Sequence, residues 1–271
     1  MSVIKVNNIT NKTGIAGPSV AGIPVVDSSS HFVVPTGRTG QRYADGGENI
    51  VRDGLVLYLD AKYSYPGATG TNPDVYTWYD MSGNENHGEL KNGVGYNSAN
   101  GGSIVFDGTD DYLSLPINSS ISPSQVTIEA WVYHTNASQS VSFIGGYGDT
   151  GVQGYWLGKN GGNWSFSTGL GGTTYNQLVG PAYASNTIIH LVGTFDGSTQ
   201  RLYANGALFA SFAMSGNISY SGVTPYIGQT QGLTATRYWT GNIFAYRIYN
   251  RALSAAEISQ NFNAARSRYG I

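Results

Sequence analysis

Residues 190–208 have the sequence HLVGTFDGSTQRLYANGAL, and this stretch decides the fold class. Two runs of strand length each end at a dipeptide that favours a tight turn. Asp196-Gly197 ends the first run, and Asn205-Gly206 separates Arg201–Ala204 from Ala207–Phe212. Asn-Gly readily supplies the two positive φ angles of a type I′ turn. The stretch therefore predicts a β-hairpin inside an antiparallel sheet.

The same pattern of short strands and tight turns extends outward from this hairpin. Apolar runs of strand length recur between Gly or Asn pairs about every 8 to 12 residues, as in a β-sandwich or jelly roll. The predicted strands are Leu55–Leu59, Ser103–Phe106, Val126–Tyr133 and Ile188–Phe195. No fixed-period repeat is visible, which excludes a propeller or solenoid.

One helix is predicted, close to the end of the chain. Ser254–Glu257 has the sequence SAAE, a capping box in which the Ser hydroxyl accepts from the Glu backbone N–H. Leu253 and Ile258 occupy the positions of a hydrophobic staple around it. Ile258, Phe262 and Ala265 form an apolar stripe, which we expect to dock onto the sheet.

The composition agrees with an all-β fold and excludes several classes of protein. The 271 residues include 38 Gly and 20 Tyr, and only 11% are charged. A net charge of −2 gives no basic surface for nucleic acid or anionic membranes. No apolar run is long enough to span a bilayer. The absence of cysteine excludes disulfides, thiolate zinc sites and a cysteine nucleophile.

Residues 1–50 differ from residues 51–271, and we treat the two segments as separate domains. The first segment contains short β-prone pieces with almost no aromatic residues, followed by a Gly-rich linker. Such pieces bury little surface alone, so we expect an extended β-rich arm that pairs with neighbours, or else a mobile tail. The arm residues are Val3, Ile4, Val6, Ile9, Val25, Val26, Phe32 and Val33. The first residues lack an apolar h-region, so we expect no secretory signal.

Four blocks of the chain resemble a known family. Phe106–Leu113, Thr127–Val132, His190–Leu208 and Gly241–Ile258 are similar in order and spacing to laminin-G-like domains of the concanavalin A-like lectin/glucanase superfamily. The resemblance implies a jelly roll of two antiparallel sheets, one of them concave. Ile189 departs from the pattern, because many members carry Trp before His at that point.

The N-terminal segment resembles a second group of proteins. Val6–Gly14 and His31–Gly37 are similar to a leader of virion structural proteins in marine tailed phages, notably cyanophages. This resemblance implies an arm that anchors the chain to other virion proteins, on a particle assembled in the host cytoplasm. The jelly roll would then face outward at the virion surface. An arm that orders by strand pairing favours a homo-oligomer, with a trimer preferred.

Aromatic residues in the Gly-rich middle of the chain are candidates for carbohydrate binding, because Trp and Tyr rings match the apolar face of a sugar. We expect them to lie in long loops. The candidates are Tyr147, Asp149, Tyr155, Trp156, Trp164, Tyr175 and Asn176. Trp156 and Trp164 equally fit strand positions that fill the sandwich, and Trp131 is expected in the core.

Calcium is the metal that the sequence favours. Asp107, Asp110 and Asp111 cluster in one turn, and Ca²⁺ prefers hard oxygen ligands. The family resemblance implies calcium at a loop edge, which adds Asp149 and Asp196 as further candidates. The alternative is that these Asp-Gly turns have only a structural role.

Catalysis is not expected. Glycosidases of this fold commonly carry E-x-D-x-E on one strand, and Glu129 has no second carboxylate two residues away. We expect Glu129 to be a hydrogen-bonding residue at the surface or rim. The four histidines lie near no nucleophile elbow, and His190 is expected to be structural.

Together these patterns predict a non-enzymatic phage virion protein, a surface decoration or short spike on the capsid or tail that adheres weakly to glycans. The first alternative is a glycan-binding module of a bacterial surface protein. The second is a glycoside hydrolase of the same fold. We expect no nucleic-acid partner and no membrane insertion.

Overall fold

A computed structural model describes residues 49–64, 76–136, 138–148, 153–171, 176–230 and 237–271, and the backbone of two short strands nearer the N-terminus. The chain divides into two compact units, residues 1–49 and 50–271. In the first unit, β1 (Ser19–Val20) and β2 (Ile23–Pro24) pair antiparallel. The eight residues predicted to form the arm all lie outside the described residues.

Two antiparallel sheets form the second unit. Its strands are β3 (Leu55–Asp60), β4 (Thr77–Trp78), β5 (Gly88–Lys91), β6 (Gly95–Asn97), β7 (Ser103–Asp107), β8 (Tyr112–Ser114), β9 (Val126–His134), β10 (Val141–Gly148), β11 (Gln153–Asn160), β12 (Asn163–Leu170), β13 (Gln177–Ala182), β14 (Ile188–Phe195), β15 (Thr199–Ala204), β16 (Ala207–Ala213), β17 (Pro225–Ile227) and β18 (Thr240–Tyr249). Sheet 1 has the order β16-β15-β14-β9-β18-β7-β6, and β3 also pairs with β18. Sheet 2 has the order β13-β12-β11-β10-β17-β8-β5-β4. The predicted all-β sandwich is confirmed.

The main core lies between the two sheets. Successive side chains of a strand point to opposite faces, so alternate residues of each inner strand enter this core. On β9 these are Ile128, Ala130 and Val132, and on β12 they include Trp164 and Phe166. All five are at most 2% exposed, so the sandwich has a continuous apolar interior.

The C-terminal helix α1 (Ala255–Ala265) covers the opposite face of sheet 1. Both halves of its capping box are present, with Ser254 accepting from the Glu257 N–H. The predicted stripe docks as expected, and the Phe262 ring stacks on Trp131 at 5.7 Å between ring centroids. Trp131 is fully buried, but in a separate cluster beneath the helix rather than between the sheets. Two short 3₁₀ turns, Ala99–Gly101 and Arg266–Tyr269, complete the described helical structure.

The hairpin that decided the fold class forms as predicted. Ala204 lies opposite Ala207, and the two residues between them have positive φ angles, 48° at Asn205 and 79° at Gly206. These are the signs that a type I′ turn requires. The hairpin thus joins β15 to β16, the strand that ends sheet 1 on one side.

The expectation of long loops in the Gly-rich middle was wrong for most of that region. β10, β11 and β12 form three consecutive paired strands of eight residues each. Glycine is required there because neighbouring backbones approach closely. A Cβ on Gly146 would lie 2.2 Å from the Tyr155 carbonyl oxygen, and one on Gly158 would lie 2.4 Å from that of Ser142.

In the described part of the chain, no helix is long and apolar enough to cross a bilayer.

Candidate functional site

One row of side chains crosses all eight strands of sheet 2 on the face turned away from the core. We call it the outer row. Its members lie opposite one another from strand to strand in the order Thr77, Glu89, Ser114, Tyr226, Gly146, Trp156, Ser167 and Gln177. Their neighbours along each strand, such as Leu113, Ile227 and Leu157, are in the core. The outer row is therefore a line of polar and aromatic groups on the other side of the sheet.

The centre of the outer row is a glycine between two aromatic residues. Gly146 lies opposite Tyr226 on one side and Trp156 on the other. Gly146 is itself buried, and a Cβ there would lie 2.7 Å from the Trp156 Cα and Cβ. Trp156 is 2% exposed and packs edge to face on Phe143, with ring centroids 5.0 Å apart. Of the two aromatic residues, the half-buried Tyr226 is therefore the one whose ring is open to a ligand.

Two buried polar atoms on this face have no hydrogen-bond partner within the described structure. They are the indole Nε1 of Trp156 and the Oγ of Ser165, and Ser165 is two residues from the outer-row member Ser167 on β12. A buried polar group without a partner costs about 1–3 kcal/mol.

Half-buried tyrosines cluster at the centre of this face. The Tyr112 and Tyr226 rings meet edge to face with centroids 5.6 Å apart. Burial raises the pKa of Tyr238, and the nearby Tyr112, Asp110 and Tyr226 raise it further. Tyr238 therefore lies close to the other two rings and to the Asp110 carboxylate. Sequence reasoning missed all three, although Tyr112 directly follows the acidic turn.

The acidic turn joins β7 to β8 at the edge of this tyrosine cluster. Carboxylate oxygens of Asp107, Asp110 and Asp111 all lie within 4.8 Å of one another. Burial raises the pKa of Asp111, the charges of Asp107 and Asp110 add to that rise, and a hydrogen bond from the Asp107 backbone opposes it. No described Lys or Arg forms an ion pair with any of the three. The turn can therefore offer converging hard oxygens to a cation.

The acidic turn also has a structural role within its own backbone. The Asp107 N–H donates to Asp111 Oδ2 at 2.9 Å, and the Thr109 N–H donates to Asp107 Oδ1 at 2.7 Å. Asp110 is exposed and makes no such side-chain bond within the turn. Asp196, a further candidate, lies elsewhere with its carboxylate bonded to Arg201 at 2.6 Å and is not part of this cluster.

Three of the predicted sugar-binding residues lie in the core. Tyr147, Tyr155 and Trp164 are at most 3% exposed and belong to the cluster between the sheets. Tyr155 donates to the Ile121 carbonyl at 2.8 Å, so its hydroxyl already has a partner. Their ring faces pack against protein, so these residues are corrected from binding to structural positions. The alternation of side chains along β10, β11 and β12 turns them inward.

Of the four remaining predicted sugar-binding residues, two are among the described residues and two are not. Trp156 lies on the outer row and Asn176 is half-buried just before β13, where its carbonyl accepts from Ser167 Oγ at 2.8 Å. These two residues therefore flank the same part of sheet 2. Asp149 and Tyr175 lie outside the described residues.

Glu129 is not at the surface or rim, so that expectation was wrong. It is fully buried between sheet 1 and α1, where Arg247 donates to it at 2.6 Å and Asn261 at 2.7 Å. The Nε2 of His190 lies 3.1 Å from the same carboxylate. Burial alone would raise the pKa of Glu129, but the Arg247 charge and the bonds from His190 and Asn261 lower it to about 2. His190 is structural, as expected.

Among the described residues, Ser142 and His134 form a serine–histidine contact, which also belongs to the interior. The Oγ of Ser142 lies 3.1 Å from Nε2 of His134, and both residues are at most 1% exposed. Burial lowers the pKa of His134 to about 4, with Gln139 opposing and the Lys159 charge assisting this shift. The Nδ1 side contacts the Tyr183 hydroxyl at 2.8 Å. This network joins β9, β10 and the residues after β13 out of reach of a substrate.

Comparison with known proteins identifies the sandwich. A profile of the concanavalin A-like lectin/glucanases superfamily, of the laminin-G type, matches residues 107–259. No curated protein sequence matches the chain significantly. The matched region contains the acidic turn and most of the outer row.

Two solved structures with a similar fold are binding domains of toxins. The binding domain of Paraclostridial Mosquitocidal Protein 1 has a TM-score of 0.57 at 20% identity, covering 79% of this chain and 52% of that one. The binding domain of botulinum neurotoxin DC, solved with rat synaptotagmin II, has a TM-score of 0.60 at 14% identity, covering 79% and 52%. The chain spans about half the length of these toxin domains.

A third similar structure is matched by this chain over almost its whole length. Domain 4 of AbnA, a GH43 extracellular arabinanase from Geobacillus stearothermophilus solved with arabinotriose, has a TM-score of 0.54 at 16% identity. The match covers 78% of this chain and 98% of that domain. At these sequence identities the three likenesses concern the fold alone.

Proposed function

The chain belongs to the concanavalin A-like lectin/glucanases superfamily, and from that premise we propose that it is a glycan-binding protein of a tailed-phage virion. In this proposal the jelly roll binds a glycan on the outer face of sheet 2, and residues 1–50 anchor the chain to the particle. The observation that carries the glycan part is the cluster of half-buried Tyr112, Tyr226 and Tyr238 on that face.

The chemistry of this face supports a neutral sugar. Tyr112, Tyr226 and Tyr238 offer half-exposed rings for the apolar face of a pyranose or furanose. Ser114 and Gln177 supply hydroxyl and amide groups along the same row. The only carboxylate of the row is Glu89, and Lys91 lies beside it as its ion-pair partner, so the uncompensated negative charge near this face is that of the acidic turn. A site of this kind binds weakly, and repeated copies on a particle would raise its avidity.

A glycan array followed by calorimetry tests the site. Tyr226→Ala is expected to weaken binding of the best array ligand about tenfold, because it removes one stacking face. Tyr226→Phe keeps the ring and is expected to retain most of the affinity. Tyr76→Ala, a change at a tyrosine that is 67% exposed outside the cluster, serves as the matched control. Equal affinity of the Tyr226→Ala variant and the native chain would contradict the site.

Calcium at the acidic turn is a separable part of the proposal. Its support is the convergence of three carboxylates next to the tyrosine cluster, with Asp111 buried and no described cation paired to them. Addition of Ca²⁺ is expected to raise the melting temperature by about 3 °C or more, because an ion that binds only the folded state stabilises it.

The calcium test has its own control. Asp110→Asn is expected to abolish the rise, because it removes one of the three carboxylates that would bind the ion. The turn itself should stay intact, because the Asp110 side chain makes no hydrogen bond within it. Asp53→Asn, a change at a carboxylate that is 86% exposed elsewhere, is expected to retain it. The same rise with Mg²⁺, or in the Asp110→Asn chain, would show that the acidic turn is not a calcium site.

The virion role is supported by the sequence resemblance of Val6–Gly14 and His31–Gly37 to phage leaders. The division of the chain after residue 49 makes the arm separable by deletion. A chain without residues 1–45 is expected to be absent from purified particles while the full chain is incorporated. Incorporation of the shortened chain would reject the anchor and leave the alternative of a glycan-binding module from another setting.

We further propose that the protein is not an enzyme. The carboxylate nearest to a glycosidase motif, Glu129, is buried on sheet 1 and bonded to Arg247 and Asn261. Retaining and inverting glycosidases need two carboxylates about 5 to 9.5 Å apart across the substrate. Turnover of any array ligand by the full chain, detected as new reducing ends, would overturn this part.

A further inference from the structure

The strand β16 exposes an unusual number of large apolar side chains. Leu208, Phe209 and Phe212 are 54%, 53% and 49% exposed. They all lie within seven consecutive residues, Ala207–Ala213, of sequence ALFASFA. An exposed apolar cluster of this kind on an otherwise well-buried sandwich marks an interaction surface.

β16 is also an edge strand. In the described structure it pairs with β15 on one side and ends sheet 1 on the other. Edge strands are normally protected from pairing by charges, proline or bulges. Ala207–Ala213 contains no charge and no proline. A bulge at Phe209 interrupts the register with β15, but Ala210–Ala213 continues in unbroken register beyond it.

We propose that β16 pairs antiparallel with β16 of a second copy of this chain, about a two-fold axis at Ser211. This register sets Ala210 of each copy opposite the partner's Phe212, and Phe209 opposite the partner's Ala213. Ala210 and Phe212 lie opposite Leu202 and Gln200, so both belong to the same face of the sheet. On both sides of the axis, Phe212 therefore meets the small Ala210 on the same face of the sheet.

A second copy is the occupant that the strand itself specifies. An antiparallel two-fold pairing needs only one surface that complements itself, and the large–small alternation around Ser211 supplies it. Charge does not oppose the pairing. Arg201, opposite Ser211 on β15, is neutralised by Asp196 at 2.6 Å, and the whole chain has a net charge of only −2. The pairing would join two copies of sheet 1 into one continuous sheet, independently of any glycan.

Cysteine cross-linking tests the register directly, because the native chain has no cysteine. Ser211→Cys places two thiols at the axis, with Cα atoms about 4.5–5.5 Å apart, inside the range of a disulfide. Mild oxidation of the full chain is expected to give a disulfide dimer. Ile117→Cys, at a residue that is 68% exposed outside β16, is the matched control and is expected to remain uncross-linked.

A mixture of two variants tests the same register without relying on the axis. Chains with Ala210→Cys and chains with Phe212→Cys are expected to cross-link with each other faster than either does with itself. If Ser211→Cys cross-links no faster than Ile117→Cys, or if the mixed pair shows no preference, the proposed pairing is wrong.

Sedimentation of the full chain provides the second measurement. The native chain is expected to dimerise, and Phe212→Lys is expected to weaken the dimer about tenfold or more. Val179→Lys, at an exposed apolar residue of β13, should leave it unchanged. Circular dichroism checks that both variants fold. A monomeric native chain, or an oligomer that Phe212→Lys does not weaken, would overturn the proposal and leave assembly through residues 1–50.

Discussion

At the scale of single residues, Glu129 shows how position determines chemistry. Its carboxylate lies under α1 and accepts from Arg247 and Asn261, while Asn261 also contacts the Tyr249 hydroxyl at 3.0 Å. The Arg247 guanidinium in turn lies 4.8 Å from the centre of the Tyr58 ring. Removing one partner of a buried ion pair destabilises the folded protein, because the other charge stays buried without compensation. Glu129 is therefore a structural residue that joins the sheet to the helix.

Replacing this carboxylate should destabilise the protein in a pH-dependent way. Glu129→Gln is expected to lower the free energy of unfolding by about 3 kcal/mol at neutral pH, because it removes the carboxylate that compensates the buried Arg247 charge. The folded pKa of Glu129 is about 2 and its usual value is 4.5. Its stabilisation is thus complete above about pH 4.5 and is lost as pH falls towards 2.

Urea unfolding at a series of pH values measures this effect. The native chain should lose stability between pH 4.5 and 2 more steeply than the Glu129→Gln chain. Glu89→Gln, a change at an exposed carboxylate of sheet 2, is the control and is expected to follow the native curve closely. Parallel curves for the native and Glu129→Gln chains would refute the assignment.

At the scale of elements, glycine sets how closely β10, β11 and β12 approach one another. Gly146 and Gly158 lie on the outer face, where any Cβ would overlap a neighbouring backbone. Their absence of side chains lets the three strands pair at the normal backbone separation. The same residues that suggest loops in the sequence are therefore what allows three long strands to pair here.

Substitution of one such glycine should be costly. Gly158→Ala is expected to destabilise the protein by about 2 kcal/mol, because its Cβ would lie 2.4 Å from the Ser142 carbonyl oxygen. Gly95→Ala is the matched control, because its Cβ would make an ordinary 3.5 Å contact with Val105. Thermal unfolding of both variants measures the difference. A Gly158→Ala chain as stable as the Gly95→Ala chain would show that the strands can separate at little cost.

At the scale of the whole molecule, the second unit has three layers. Sheet 2 and sheet 1 enclose the main core, and α1 with the 3₁₀ turn Arg266–Tyr269 covers the far face of sheet 1. Arg268 fastens this last layer, with both oxygens of Asp60 within 2.9 Å of its Nη1. The proposed glycan-binding face and the helical layer are thus on opposite sides of the sandwich.

Removal of the third layer should prevent folding. A chain without residues 254–271 would expose Trp131 and Val192 and deprive Glu129 of Asn261. We expect it to be insoluble or to lack a cooperative thermal transition. Removal of Ile271 alone, a residue that is 44% exposed, is the control and should be tolerated. A soluble 1–253 chain with the native melting temperature would show that sheet 1 needs no cover.

The sequence by itself determined the elements whose signals are local. The Asn205-Gly206 turn, the Ser254–Glu257 capping box and the strands around them follow from backbone preferences of a few adjacent residues. The four family blocks likewise indicated the sandwich, because their order and spacing match those of the family. The turn of three aspartates was also visible as a candidate cation site.

Only the tertiary structure decided which face each strand residue occupies. One step along a strand reverses the direction of a side chain, so Tyr155 enters the core while Trp156 joins the outer row. The cluster of Tyr112, Tyr226 and Tyr238 draws on segments more than one hundred residues apart. Long-range pairing created that cluster and placed Glu129 beneath the helix, because contacts across a sheet depend on register and not on the residues adjacent in sequence.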